Sequence, residues 1–459
     1  MIKLTVKDIL ENCDAKLLIG DESKEIGKCF TDSKKVTPGS VFIGIKGENT
    51  DGSLFYKEAF FGGADICIIN KMYDLDLNGF DDKTVIVAND TLKVLHQLAA
   101  YKRSLFGGKV IMITGSIGKT STKEMLYDML KSKYKVLKTI GNQNSQIGLP
   151  LNILRLKDEE ILLLEAGMNS VGHIHNLSLI AKPDIGIITN VLTSHIGMLG
   201  SKENILKAKL EILDGMGSES KLIINNDNDM LSAWYDSLSD GSNIIKFGIE
   251  NSSDVIIYDI KEDTNTSFSV NNIKDISIKG PREFIYNFMP AYIVSKMLDI
   301  KDDDIIGALE NVRDIKHRLE IIKLGNITVI DDSYNASKES TIVALKYLGT
   351  FKTRKIAVIG DMLELGKSSK KMHQEIGNYI LQNNIDIVIT IGKYSNHINK
   401  TLRKKGFKKK YMKHFKTEEL SRKYIDKIIK NEDVILIKGS NGMNLINLVK
   451  YLKIKKDLF

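Results

Sequence analysis

Residues Lys109–Leu130 read KVIMITGSIGKTSTKEMLYDML. Val110 to Ile113 form a short apolar run of strand type, which Gly115-Ser116-Ile117-Gly118 breaks with two residues that tolerate unusual backbone angles. Beyond the break, Met125 with Met129 and Leu126 with Leu130 recur at a four-residue spacing, one face of a helix. The order strand, Gly-rich turn, helix aims the N–H groups and the positive dipole end of the helix start at whatever lies over the turn, and a phosphate fits there. Lys119 adds a mobile cation for the β- and γ-phosphates, and the Thr120 hydroxyl can complete a Mg²⁺ shell. The usual GxxxxGK[ST] pattern would place Gly at 113, where Ile113 stands, so the loop is a shorter TGxxGK[ST] form. Nucleotide binding is the reading of this stretch; it names no reaction.

A chain of 459 residues is too long for one ordinary core, and roughly two to four domains are expected. Its composition, 42% hydrophobic and 27% charged with five Pro, excludes disordered and fibrous classes. The formal net charge is +8, and Arg403–Lys416 (RKKGFKKKYMKHFK) carries eight Lys/Arg without an acid. A solvated lysine face explains that run more simply than nucleic acid or an anionic membrane does, so neither partner is expected. Cys13, Cys29 and Cys67 show no CxxC spacing, which argues against a disulfide framework or zinc site and for a reducing cytoplasm. The start MIKLTVKDIL lacks an apolar signal core, and no apolar stretch approaches the roughly 18 residues of a membrane span.

The expected fold class is α/β in three parts. Residues 1–82 read as a small α/β unit, with a turn at Val36-Thr37-Pro38-Gly39, a strand from Ser40 to Ile45 and a helix from Leu54 to Phe61. Residues 83–312 read as apolar strand, loop and helix in repetition, the pattern of a doubly wound parallel sheet around the P-loop. Residues 313–459 restart that alternation with strands at 327–330, 355–359, 386–391 and 434–437, enough for a Rossmann-like domain without GxGxxG.

Ligands gather at the carboxyl ends of strands in open α/β sheets. Ile161 to Leu164 ends on Glu165, an acid able to hold Mg²⁺ directly or through water. Asp184 to Thr189 runs into Asn190, with His195 five residues later. His195 alone stands equally for packing or ligation. His173 and His175 have HxH spacing but no evident third ligand.

Together these motifs resemble the Mur ligases, ATP-dependent enzymes that extend the peptide of the bacterial cell-wall precursor. The resemblance covers nearly the whole chain: DSKKVTPGSVFIGIKGENTDG at 32–52, TGSIGKTSTKEM at 114–125, GNQNSQIGLPLNIL at 141–154, LEAGMNSVGHI at 164–174, AKLEIL at 208–213, RLE at 318–320, DDSYNAS at 331–337, GDMLELG at 360–366 and KGSNGM at 438–443. DDSYNA and GDMLELG resemble the branch that adds D-alanyl-D-alanine rather than those adding one amino acid. The resemblance implies an N-terminal domain for the UDP end of UDP-MurNAc-tripeptide, a central ATPase domain, and a C-terminal domain for the incoming dipeptide. ATP would phosphorylate the tripeptide carboxylate, and the dipeptide amine would then displace phosphate.

The same resemblance implies roles residue by residue. Gly115, Ser116, Ile117, Gly118, Lys119, Thr120 and Ser121 form the ATP loop; Asn287 contacts adenine, Arg318 the ATP phosphates and Asp332 the ribose. Thr120, Glu165 and His195 look like ligands for Mg²⁺, of which two ions are expected. Lys209 matches a lysine that is carbamylated in these enzymes, which turns a cation into a carboxylate-like ligand. Asn142 and Asn144 fall in the loop that approaches the muramoyl moiety, and Ser33 in the uridine-side motif. Lys119, Glu165, His195 and Lys209 would carry the chemistry. Departures include Ile117 for Asn, Ser145 for Asn, Lys34 for Arg, Ser337-Lys338 for Asn-Pro, Asn441 for Arg and His173 for Glu. Lys34 and Asn441 lose a planar fork for anions. A monomer is the simpler expectation. The alternatives are another Mur-type ligase, a folylpolyglutamate synthetase-type ligase, which lacks the uridine domain, and a P-loop ATPase acting on a partner or nucleic acid. The sequence leaves open whether the third peptide residue is diaminopimelate or lysine, and whether D-Ala-D-Lac or D-Ala-D-Ser competes.

Overall fold

The computed structural model describes residues 2–71, 75–310 and 315–455. Its strands are β1 (Ala15–Ile19), β2 (Cys29–Phe30), β3 (Ser40–Ile43), β4 (Ala64–Asn70), β5 (Thr84–Ala88), β6 (Lys109–Thr114), β7 (Val136–Lys138), β8 (Ile161–Glu165), β9 (Ile185–Ile188), β10 (Lys221–Asn225), β11 (Ile244–Phe247), β12 (Ile257–Glu262), β13 (Asn265–Val270), β14 (Ile273–Lys279), β15 (Glu320–Leu324), β16 (Ile327–Asp332), β17 (Lys355–Gly360), β18 (Ile387–Ile391), β19 (Met412–Phe415) and β20 (Val434–Lys438). The chain forms two compact units. One holds the residues up to Thr114 with Lys133–Ile187 and Ala208–Leu222; the other holds Gly115–Ser132, Ile188–Lys207 and the chain from Ile223 onward.

In the first unit, a five-stranded sheet runs β1–β5–β4–β3–β2. Only β1 is antiparallel, with Ala15 opposite Ala88, and its alternating exposure marks a sheet edge. β5 lies in the interior of this sheet, so the N-terminal sheet ends at Ala88, beyond the boundary expected at 82/83. Phe42, Tyr56, Phe60, Cys67, Ile69 and Val85 pack together beneath it. The helix expected from Leu54 is a 3₁₀ turn over Gly52–Phe55 followed by an α-helix over Tyr56–Phe61. β6, β8 and β7 are parallel neighbours, with Ile113 opposite Glu165. All five residues of β8 are buried, as a strand covered on both faces requires. Cys13, Cys29 and Cys67 are unbonded, and burial pushes the Cys13 and Cys29 thiols up to about 12 and Cys67 higher still.

In the second unit, the helix Lys119–Leu130 packs on the helix Ile285–Met297, where Ser295 Oγ lies 3.4 Å from Met129 Sδ. That second helix is apolar almost all round and buried from Asn287 to Ser295. β12, β13 and β14 form an antiparallel three-stranded sheet, which interrupts the strand–helix alternation expected as far as residue 312. On β14 only Ile273, Ile276 and Ile278 are buried, the pattern of a one-sided sheet.

The last sheet runs β15–β16–β20–β17–β18–β19, parallel except for β15. Successive residues serve opposite faces. Ala357, Ile359 and Leu436 join the core under the helices Lys338–Thr350 and Ser369–Gln382, while Ile356, Val358, Ile435 and Ile437 join that under Glu418–Ile428 and Ile446–Ile454. Each fully buried Ile or Leu contributes about 1.5–3 kcal/mol, so both faces are strongly fixed. Four strands were expected here and the described residues form six. β15 is antiparallel, and β19 lies inside the lysine-rich run with Lys413 exposed. The expected boundary at 312/313 lies outside the described residues.

Candidate active site

The Gly-rich loop is shaped by its neighbours in the second unit. Gly115 has φ +148° and Gly118 φ +84°, the left-handed side that suits glycine. A β-carbon on Gly115 would lie 1.8 Å from Thr189 Oγ1, and one on Gly118 2.4 Å from Asn287 Oδ1. Asn190 Oδ1 accepts from Ser116 N (3.1 Å) and Ile117 N (3.0 Å), while Thr189 Oγ1 donates to Ile117 O at 2.6 Å. Leu192 N donates to Ser116 Oγ at 2.9 Å. Lys119 Nζ crosses the turn to donate to Gly115 O at 2.7 Å. The twelve-residue helix then begins at Lys119 with Gly118 as its cap. A turn stripped of side chains at a helix start is a cradle for a nucleotide phosphate. Asn190, noted in the sequence only as a strand end, proves to be the loop's main brace.

Of the other expected nucleotide contacts, Asn287 is buried beside Gly118. The Arg318 guanidinium stacks on the Tyr334 ring, 4.3 Å from its centroid. Leu319 N donates to Asp332 Oδ1 at 3.3 Å, and Lys438 Nζ donates to Asp332 Oδ2, so Arg318 and Asp332 are held on adjoining backbone. Beneath Arg318 lie His317, Glu320 and Asp331, whose ligand atoms lie within 4.8 Å of one another. These atoms satisfy each other: His317 Nδ1 is 2.6 Å from Asp331 Oδ2, Glu320 Oε2 accepts from His317 N, and Asp331 Oδ1 accepts from Ser333. The trio braces the Arg318 turn.

His195 has φ +63° and places Nδ1 2.7 Å from Glu364 Oε2, an ion-pair approach that lies off hydrogen-bond alignment. The imidazole holds the Glu364 carboxyl below the usual carboxylate range against the opposing effect of burial. Gly197 N donates to Glu364 O at 2.9 Å, and Thr193 Oγ1 meets both Glu339 oxygens at 2.8 and 2.9 Å. Neither Glu364 nor Glu339 stood out as a site residue in the sequence, since each depends on a contact far away along the chain.

In the first unit, Glu165 is 1% exposed, and Asn144 Nδ2 donates to its Oε1 at 2.8 Å, so the loop expected to approach the muramoyl moiety meets the strand-end acid. Asn142 is exposed, its carbonyl accepting from Asn144 N. Lys209 is 1% exposed on the helix Lys202–Leu210. Ser33 Oγ donates to Glu58 Oε2 at 2.6 Å. His175 pairs with Asp214 at 2.7 Å, and His173 O accepts from Gln146, so the HxH pair serves structure. The Thr120 hydroxyl and the buried Glu165 carboxylate are each a hard oxygen donor of the kind that suits Mg²⁺. The lysines of the 403–416 run are exposed.

A phosphate cradle with a lysine across it, and a sheet whose loop reaches His195, mark a nucleotide-using enzyme, and the known relatives place it among the ATP-dependent amide-bond-forming ligases. The chain belongs to the Mur ligase family: residues 113–295 match the Mur ligase middle domain and residues 317–441 the Mur ligase glutamate ligase domain. It is 35% identical to the UDP-N-acetylmuramoyl-tripeptide–D-alanyl-D-alanine ligase of Bacillus subtilis over 98% of this chain and 99% of that protein. The Escherichia coli enzyme of the same name is 30% identical over 87% and 88%. Among solved structures, MurF from Acinetobacter baumannii superposes with TM-score 0.85 at 26% identity, covering 99% of each chain. MurF from Thermotoga maritima, in complex with ADP, gives 0.80 at 28%, covering 94% of this chain and 98% of that one. No helix among the described residues is long and apolar enough to cross a membrane.

Proposed function

We infer that this enzyme joins D-alanyl-D-alanine to the terminal carboxylate of UDP-N-acetylmuramoyl-tripeptide, with ATP, in peptidoglycan precursor synthesis. The carrying observation is the preformed phosphate cradle at Gly115–Lys119 in a chain that matches D-alanyl-D-alanine ligases from end to end. A carboxylate oxygen of the tripeptide attacks the γ-phosphorus and ADP leaves. The dipeptide amine then attacks the acyl carbon, the carbon–oxygen bond breaks, inorganic phosphate departs and the amine proton passes to solvent. Bringing a carboxylate to a triphosphate crowds negative charge, and Lys119 with the helix start supplies the opposing field. Bound Mg²⁺ supplies further charge neutralisation.

In this reading Gly115 to Ser121 hold the phosphates, Asn287 faces adenine, and Arg318 and Asp332 meet phosphate and ribose. Thr120, Glu165 and His195 would hold Mg²⁺, and Ser33, Asn142 and Asn144 would meet the sugar-nucleotide. The near-complete burial of Glu165 and its Asn144 contact support the metal and muramoyl assignments. Lys209 is carbamylated and serves a second ion; its burial supports this, since an exposed carbamate would be idle. The enzyme works as a cytoplasmic monomer of three domains, the first extending through Ala88. Lys209→Ala is expected to lose activity and regain part of it with short-chain carboxylates; full activity without them removes the carbamate.

The test of the whole reading is phosphate release from ATP with UDP-MurNAc-tripeptide, with and without D-alanyl-D-alanine, beside single amino acids and tetrahydrofolate plus glutamate. Release that requires sugar-nucleotide and dipeptide together is expected. Release without an amine, or only with folate and glutamate, overturns the substrate assignment.

A further inference from the structure

An imidazole is an uncommon donor for Mg²⁺, a hard cation that prefers carboxylate and water oxygens. A metal-bound imidazole becomes a better donor when its other ring nitrogen gives its N–H to a carboxylate, which fixes the tautomer and raises the basicity of the ligating nitrogen. Glu364 stands where such a partner belongs, 2.7 Å from His195 Nδ1.

The backbone on both sides is committed to this approach. His195 and Glu364 each have φ +63°, a left-handed conformation that costs a non-glycine residue about 1–3 kcal/mol and persists only where the surroundings enforce it. The enforcement is visible. Gly197 N donates to Glu364 O, Met198 N and Leu199 N donate to His195 O, and Thr193 is clasped by Glu339. A β-carbon on Gly197 would lie 2.5 Å from both Glu364 O and Gly366 N, so the two loops meet backbone to backbone. Asp361, earlier in the same loop, accepts from Lys393 N, Tyr394 N and Ser395 N at 2.7–2.9 Å, which anchors the loop to the sheet end where β18 finishes. Glu364 is thus presented from a fixed base.

We propose that Glu364 is a positioning residue for His195: docked against the loop Thr193–Gly197, its carboxylate lies 2.7 Å from Nδ1, and a turn of the imidazole into line lets it take the Nδ1–H and leave the Nε2 lone pair for the metal. The proposal rests on the reading of His195 as a metal ligand. It also accounts for the GDMLELG motif, since this loop completes a donor of the ATP site and that site is finished only when the loop is in place.

The test uses the full-length enzyme with Glu364→Gln, Glu364→Asp and His195→Gln. Calorimetry with ADP is run with and without Mg²⁺, and ¹⁵N spectra of histidine-labelled protein are assigned through His195→Gln. Glu364→Gln is expected to leave Mg²⁺-free ADP binding unchanged, to cut the gain from Mg²⁺ about tenfold, and to move the His195 nitrogens away from the Nδ1–H pattern, with Glu364→Asp intermediate. Should His195→Gln abolish the Mg²⁺ gain while Glu364→Gln keeps both the gain and the ¹⁵N pattern, the proposal is overturned. Should His195→Gln itself leave the gain intact, the ligand reading falls instead. Equal melting temperatures show that each variant folds.

Discussion

The loop Gly115–Ser121 and the loop Asp361–Gly366 both finish a strand, yet they use opposite chemistry. In the first, the left-handed angles fall on glycines and most of the loop's own atoms that bond are backbone: Ser116 N and Ile117 N reach Asn190, and Ile117 O receives Thr189, beside the Ser116 hydroxyl and Lys119. In the second, a left-handed angle falls on Glu364, and the side chains of Asp361 and Glu364 make the contacts. A phosphate is small and uniform, so a backbone cradle suffices for it. A loop that must sense whether a particular neighbour is present needs side chains. The difference explains why Ile117 can stand where Asn is common in the family: that position contributes its N–H and C=O.

The largest break in this comparison is Lys119→Ala, which removes the cation that crosses the first loop. Phosphate release should fall on the order of a thousandfold with the circular dichroism spectrum unchanged; wild-type turnover would take the loop out of the mechanism. Gly118→Ala puts a β-carbon against Asn287 at a left-handed angle, and ADP affinity should fall about tenfold to a hundredfold by calorimetry. Gly197→Ala pushes against the backbone of the second loop instead, so kcat should fall about tenfold while Mg²⁺-free ADP affinity is kept, which separates cradle from docking. The smallest effect is a control outside both loops. Burial alone would raise the Asp227 carboxyl, but N–H groups of Ile249, Glu250 and Asn251 and the Tyr286 hydroxyl outweigh it and hold it low. A carboxyl depressed in the folded state stabilises above its unfolded value of about 4 and loses that contribution as pH falls through its native value. The gap in urea midpoint between wild type and Asp227→Asn should therefore close below about pH 4, with activity near neutrality unaltered.

What the sequence made legible is what is local. Lys109 to Leu130 states its own strand, turn and helix, and the apolar runs ending at Glu165 and Asp332 state theirs, because burial on both faces leaves no polar residue to confuse the pattern. β19 was hidden because an edge strand bearing Lys413 in a lysine run reads as loop, and edges are where charge is tolerated. β12 to β14 were hidden because half-exposed strands with polar outer faces resemble the loops between apolar runs. Asn190 carried a signal, its place at a strand's carboxyl end, but nothing in one sequence tells which polar strand end touches the Gly-rich turn. Glu364 carried a signal only as part of GDMLELG, with no role attached, because its meaning lies in His195, which only the fold brings near.

The three unbonded cysteines have a practical consequence. With their thiols pushed to about 12 or beyond, almost none is present as thiolate near pH 7, and the thiolate is the species that alkylating reagents capture. A single cysteine introduced at an exposed position such as Leu420 or Met198 would therefore take a maleimide dye selectively, with the native three left in place. Fluorescence could then follow the approach of the loops during turnover in an otherwise unaltered enzyme.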